Sequence, residues 1–176
     1  MADSQSRNGL ENINVLVVDD NRQVCKLVSE ILKTLGVVNV CAQTDAAKAY
    51  DELKLFSADI IIVDLNMEPL NGFDFARLVR TGKDTPNPSV PIIMLTGNSE
   101  IRNVTEARDA GINEYLVKPI SPKSLYQRIA SIIDNPRPFV QTQIYSGPDR
   151  RRRGLGPPTD VEERRQNKDR NSGISD

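Results

Sequence analysis

The apolar residues of this chain gather in short β-branched runs, and longer stretches between them carry helical spacing. Ile60-Ile61-Ile62-Val63 is the most apolar run, four branched residues in a row. Such a run suits a strand buried on both faces, as in a parallel sheet. Ile13 to Val18 and Pro91 to Leu95 predict two further strands, and Val37 to Ala42 and Tyr115 to Val117 two shorter ones. Between Arg22 and Leu35, the residues Val24, Leu27, Val28, Ile31, Leu32 and Leu35 recur at helical intervals, with Gly36 as a stop. A second helix is expected from a Thr44 cap to about Phe56, and a third from near Gly72, carrying Phe73, Phe75, Ala76, Leu78 and Val79. A loop with Gly82, Pro86 and Pro88 follows. Ser99 opens a fourth helix that runs from Glu100 to about Ala110. Ser121 followed by Pro122 starts a fifth, striped by Leu125, Tyr126, Ile129, Ile132 and Ile133.

Five strands alternating with five helices imply βαβ units and an α/β fold, a doubly wound parallel sheet. Right-handed crossovers place every strand's carboxyl end along one edge. Asp19, Asp20, Asp64, Thr96 and Lys118 all fall at that edge, where open α/β sheets hold their sites. Each has an ordinary explanation alone: Asp64 as a turn opener, Thr96 as a cap, Lys118 as a solvated charge, Gly97 as a turn residue. Together they point to a site.

Composition narrows the chemistry. With 38% apolar and 27% charged residues among 176, the chain has the makeup of a globular domain plus an appendage. The net charge of −1 favours neither nucleic acid nor membrane as a partner. There is no His, so Ser-His-Asp and Cys-His catalysis are excluded. Cys25 and Cys41 lack metal-ligand spacing and are expected as free thiols. Residues 1–12 are polar, without a signal peptide's apolar stretch, and are expected to be a flexible N-terminus to a cytoplasmic protein. Three crowded carboxylates stay ionised together only beside a cation, and an all-oxygen donor set favours Mg²⁺ over zinc. Lys118 and the Thr96 hydroxyl suit phosphoryl oxygens, and Gly97 leaves room for an incoming group.

Val17-Val18-Asp19-Asp20-Asn21, Val63-Asp64-Leu65-Asn66-Met67 with Gly72, Leu95-Thr96-Gly97, and Tyr115-Leu116-Val117-Lys118-Pro119 appear in order. Over roughly Asn14 to Asp134 the chain thereby resembles the receiver domain of bacterial two-component response regulators. The resemblance implies a flavodoxin-like strand order 2-1-3-4-5 over residues 13–134 and a stand-alone, chemotaxis-regulator-like signalling switch. It implies Asp64 as the phosphoacceptor and Asp19 and Asp20 as the acidic Mg²⁺ partners, with Asn66 offering its backbone carbonyl. Lys118 and Gly97 would contact the phosphoryl group, with a cis bond between Lys118 and Pro119. Thr96 and Tyr115 would form a switch pair, and Asn66 and Asn98 would tune the lifetime of the modified state. The implied donor is a sensor histidine kinase or a histidine phosphotransfer protein, and the output is an unidentified protein partner. The chain would not be an enzyme beyond taking phosphoryl groups from small donors and losing its own.

Glu68 stands where receivers usually carry Pro, and Pro69 follows it. After Asp134, residues 135–176 are expected to be a disordered basic tail without an output domain, Phe139 to Tyr145 at most a lone extended strand. Arg150 to Arg153 would steer toward an acidic partner or be balanced by nearby acids. Two alternatives remain open. One is an aspartyl-phosphate phosphatase for small substrates, although Asn66 stands where such enzymes need a second acid. The other is nucleic-acid binding through the arginines.

Overall fold

The computed structural model describes residues 7–97 and 109–150. Five strands form a parallel sheet in the order β2-β1-β3-β4-β5: β1 Asn14–Val18, β2 Asn39–Gln43, β3 Ile60–Asp64, β4 Ile92–Thr96 and β5 Glu114–Val117. This is the expected order. The helices are α1 Arg22–Thr34, α2 Ala46–Glu52, α3 Gly72–Thr81 and α4 Pro122–Asp134. The helix expected from Glu100, and Asn98 before it, lie outside the described residues.

Alternation along each strand sorts the core into two layers. Leu16, Val18, Ile61, Val63, Ile92 and Met94 point to one face and pack with Ala49 of α2 and with Phe75, Ala76 and Val79 of α3. Val15, Val17, Ile60, Ile62, Ile93, Leu95 and Leu116 point to the other, against Cys25, Val28 and Leu32 of α1 and Leu125 and Ile129 of α4. The consecutive apolar residues of β3 serve both layers, and all five residues of that strand are buried. Burying each large side chain contributes about 1.5–3 kcal/mol.

The helix ends follow the local chemistry. The Asn21 side chain accepts the first amides of α1, and Gly36 closes that helix with φ 103°. Ser121 and Ser124 cap α4 reciprocally, with Pro122 at the first helical position. Asp45, and not Thr44, caps α2 through the Ala47 and Lys48 amides.

Two expectations about the termini need correcting. Within the segment expected to be flexible, Arg7–Asn12 forms a 3₁₀ helix, because Leu10 finds an apolar seat and is only 3% exposed. Within the segment expected to be disordered, β6 Phe139–Gln141 and β7 Ser146–Pro148 pair antiparallel as a hairpin, and β7 packs on α3. Phe139 and Val140 gain partial burial there, and Gly147 and Pro148 are buried. Residues 151–176, the rest of the expected basic tail, lie outside the described residues.

Candidate functional site

The site lies at the carboxyl edge of the sheet, where three strands end in polar residues. β1 delivers Asp19 and Asp20. Asp19 is 1% exposed, and its Oδ1 accepts the Asn21 amide at 2.8 Å. β3 ends on Asp64, 5% exposed, whose Oδ2 accepts the Asn66 amide at 3.1 Å. One ligand oxygen from each of Asp19, Asp20 and Asp64 lies within 4.8 Å of the others, and Asp20 is the exposed member.

Just past the end of β5, Lys118 reaches across to this cluster. Its Nζ is 2.7 Å from Asp64 Oδ1 and 3.4 Å from Asp19 Oδ2. Burial raises the Asp64 pKa and Asp19 adds to the rise, while the Lys118 hydrogen bond opposes both. For Lys118 burial disfavours the charge, but the bond to Asp64 and the charges of both acids outweigh it and raise its pKa. One lysine against three carboxylates still leaves surplus negative charge, which suits a hard divalent cation with oxygen ligands.

The loops hold these groups in place. The Lys118 amide donates to Thr96 O at 2.8 Å, and the Lys118–Pro119 bond is cis, as expected. A second cis bond joins Glu68 to Pro69, which the sequence did not signal. The Gly72 amide donates to Leu65 O, and a Cβ on Gly72 would run into Asp64 O, so the third helix starts against the backbone of the site. Cys25, buried behind the cluster, donates its thiol to Asp19 O at 3.2 Å. Thr96, 3% exposed, ends β4 with its hydroxyl donating to Gly97 O at 3.1 Å.

Tyr115 lies on the same face of the sheet as Met94 and Thr96, since Tyr115 pairs with Met94 and Val117 with Thr96. Its hydroxyl is buried and has no hydrogen-bond partner among the described residues. Burial, with Tyr145 adding to it, pushes the Tyr115 phenol well above its usual range. Asp19, Asp20, Asp64 and Lys118 thus meet in one cluster, with Thr96, Gly97 and Asn66 in the strand-end backbone around it. Tyr115 stands lower on β5.

Sequence reasoning missed a second polar centre at the opposite end of the sheet. Arg80 of α3 is 2% exposed and donates to Gly111 O, Pro88 O, Val90 O and Asn113 Oδ1. A charged residue within an apolar helical stripe was the available signal.

Comparison with known proteins agrees with the geometry. The family model for the response regulator receiver domain matches residues 15–130. The chemotaxis protein CheY-3 of Vibrio cholerae is 28% identical over 124 residues, covering 70% of this chain and 94% of that protein. The chemotaxis protein CheY of Pseudomonas aeruginosa is 30% identical over 122 residues, covering 69% and 97%. Among solved structures, CheY4 of Vibrio cholerae superposes with TM-score 0.62 at 30% identity, covering 68% of this chain and 98% of that one. The receiver domain of a sensor histidine kinase from Pseudomonas aeruginosa, solved with a magnesium ion coordinated in its active-site cleft, gives 0.58 at 29%, covering 68% and 94%. The hairpin Phe139–Pro148 falls beyond the matched region. Sheet order, edge chemistry and these matches agree, and the chain belongs to the response regulator receiver domains, the phosphoacceptor modules of two-component signalling.

Proposed function

We propose that Asp64 accepts the phosphoryl group in a Mg²⁺-dependent reaction and that Asp19 and Asp20 hold the ion with it. The observation that carries this reading is the meeting of three carboxylates from two strand ends with the Lys118 ammonium, 2.7 Å from Asp64. The donor set fits Mg²⁺: the cluster offers oxygen alone, and the protein has no His. The magnesium coordinated in the Pseudomonas kinase receiver supports the same choice. The Asn66 backbone carbonyl would complete the protein's ligands. A bound Mg²⁺ neutralises the crowded carboxylates and the incoming phosphoryl oxygens.

The protein's own groups do the rest. An Asp64 oxygen attacks the phosphorus of a phosphohistidine on a sensor kinase or phosphotransfer protein. The P–O bond forms as the P–N bond breaks, and the departing imidazole nitrogen keeps the bonding pair and takes up a proton. Lys118 meets the transferred group as a point charge, with Gly97 leaving it space. The Thr96 hydroxyl, held on Gly97 O in the unmodified chain, turns to the phosphoryl group and gains a hydrogen bond worth about 1 kcal/mol. That difference shifts a two-state population severalfold, and Tyr115 carries the shift to a partner protein.

The chain acts as a switch and not as an enzyme on outside substrates, since Asn66 cannot serve as the acid that a phosphatase needs. No helix among the described residues is long and apolar enough to cross a membrane. Incubation with acetyl phosphate and Mg²⁺ should add one phosphoryl group by intact mass. Asp64→Asn and chelation should each abolish the addition, and equal labelling of the Asn variant would overturn the assignment.

A further inference from the structure

A groove of about 600 Å³ opens at the amino end of the sheet, away from the acidic cluster. One wall is the lead-in to β4 and β5, with Pro91, Asn113 and Glu114. A second is α4, which contributes Arg128, Ser131 and Ile132. The third is the connection 135–138 that leaves α4 for the hairpin, and it lies beyond the residues that the family model matches. The Asp149 amide donates to Pro138 O at 2.7 Å, so the hairpin holds the end of that connection in place.

Two cations reach this groove from separate segments. Arg128 Nη1 is 3.5 Å from Glu114 Oε2, a long contact, and the rest of its guanidinium is unengaged among the described residues. Glu114 is also held by Ser131, whose hydroxyl donates to its Oε1 at 3.0 Å. Arg137 is exposed and has no partner among the described residues. It stands between Pro136 and Pro138: each ring fixes its own φ, and Pro138 disfavours the helical region for the residue before it. Arg137 is therefore presented from a stiff, extended backbone. Asn113 spends its Oδ1 on Arg80 and the Ile92 amide, which leaves its amide nitrogen as a donor. Two guanidiniums against one carboxylate leave a positive surplus, while Pro91, Pro136, Pro138 and Ile132 supply apolar surface. Concavities of this size, apolar with a few placed charges, are the form that small-ligand sites take.

We propose that this groove binds a small organic anion, an apolar body carrying one carboxylate or phosphate group. Arg128 and Arg137 take the charged group, and the proline rings with Ile132 take the body. The planar guanidinium fork matches either oxyanion, and the Asn113 amide adds a neutral donor. Glu114, tied to Arg128 and Ser131, orients Arg128 and turns away a dianion set against it. The groove shares no residue with the acidic cluster, and binding there needs neither Asp64 nor Mg²⁺.

The test titrates the full chain, without Mg²⁺, with benzoate, phenyl phosphate and benzyl alcohol, and follows backbone amide shifts by NMR. Benzoate or phenyl phosphate should give saturable shifts at Asn113, Glu114, Ser131 and Arg137, with a Kd at or below about 1 mM. The tighter of the two identifies the preferred charged group. Benzyl alcohol should bind at least about tenfold more weakly, because it leaves both arginines unmatched. Arg128→Gln and Arg137→Gln should each weaken the anion at least about fivefold, with unchanged β3 amide shifts showing that the variants are folded. Four results would overturn the site: no saturable shift with either anion, shifts confined to the acidic end, equal binding of benzyl alcohol, or folded variants that bind as the unaltered chain does.

Discussion

Each end of the sheet holds a cation, and the two are satisfied in opposite ways. At the carboxyl end Lys118 faces Asp64 and Asp19, its side chain 34% exposed. At the amino end Arg80 is almost wholly buried, and among the described residues it donates to neutral acceptors: three carbonyls and one amide oxygen. The consequence shows in their acidities. The carboxylates raise the Lys118 pKa, whereas burial lowers that of Arg80 to about 10. One end concentrates unequal charge, with two acids buried and Asp20 and part of Lys118 reaching solvent, which suits a group that must meet an incoming anion. The other spends a buried charge on tying three chain segments together, which suits a structural joint. Arg is the residue for that joint, since its planar fork can serve several carbonyls at once.

The largest effect that would break this contrast is expected at Lys118. Lys118→Ala should slow labelling by acetyl phosphate about a hundredfold, the usual scale for losing one electrostatic stabiliser. Its thermal stability should respond more to Mg²⁺ than that of the unaltered chain, because three carboxylates are left without a lysine. Equal Mg²⁺ responses in melting experiments would show that Lys118 does not neutralise the cluster.

Arg80 should behave in the reverse manner. Arg80→Ala strands several buried acceptors and should cost about 3 kcal/mol in urea unfolding. Labelling of the folded fraction should fall only severalfold. A loss of labelling as deep as that of Lys118→Ala would erase the distinction between joint and site.

Much of this contrast was legible in the sequence at one end and hidden at the other. Asp19, Asp64, Thr96 and Lys118 each terminate or follow a short apolar run, so the alternation of strands and helices places them on one edge. Arg80 follows Val79 on an amphipathic helix, where a long cation usually reaches solvent, and nothing local says that a later hairpin will cover it. The hairpin leaves no such pattern in the sequence, because its apolar residues are few and its strands are three residues each. Its stability comes from Gly111 and Arg80, 30 or more positions away, and a local pattern does not register such partners. Asp45 displaced Thr44 as the cap of α2 for a simpler reason: both are good caps, one residue apart.

Asn113 gives the finest test of the joint. Its side chain accepts from both Arg80 and the Ile92 amide, so Asn113→Ala should cost about 1–2 kcal/mol and leave labelling nearly unchanged. At the site, Thr96→Ala should still be labelled but should lose most of the change in partner affinity that labelling brings. Equal partner affinity of labelled Thr96→Ala and the labelled unaltered chain would remove Thr96 from the response.

The central claim is that, of three carboxylates at one sheet edge, Asp64 alone becomes the acyl phosphate. Borohydride reduces an aspartyl phosphate to homoserine and leaves free carboxylates untouched, so peptide mass mapping after reduction reads the modified position directly. After acetyl phosphate and Mg²⁺, homoserine should appear at position 64 and at neither 19 nor 20. Homoserine at Asp19 or Asp20, or none in protein that has gained a phosphoryl group by intact mass, would contradict the account.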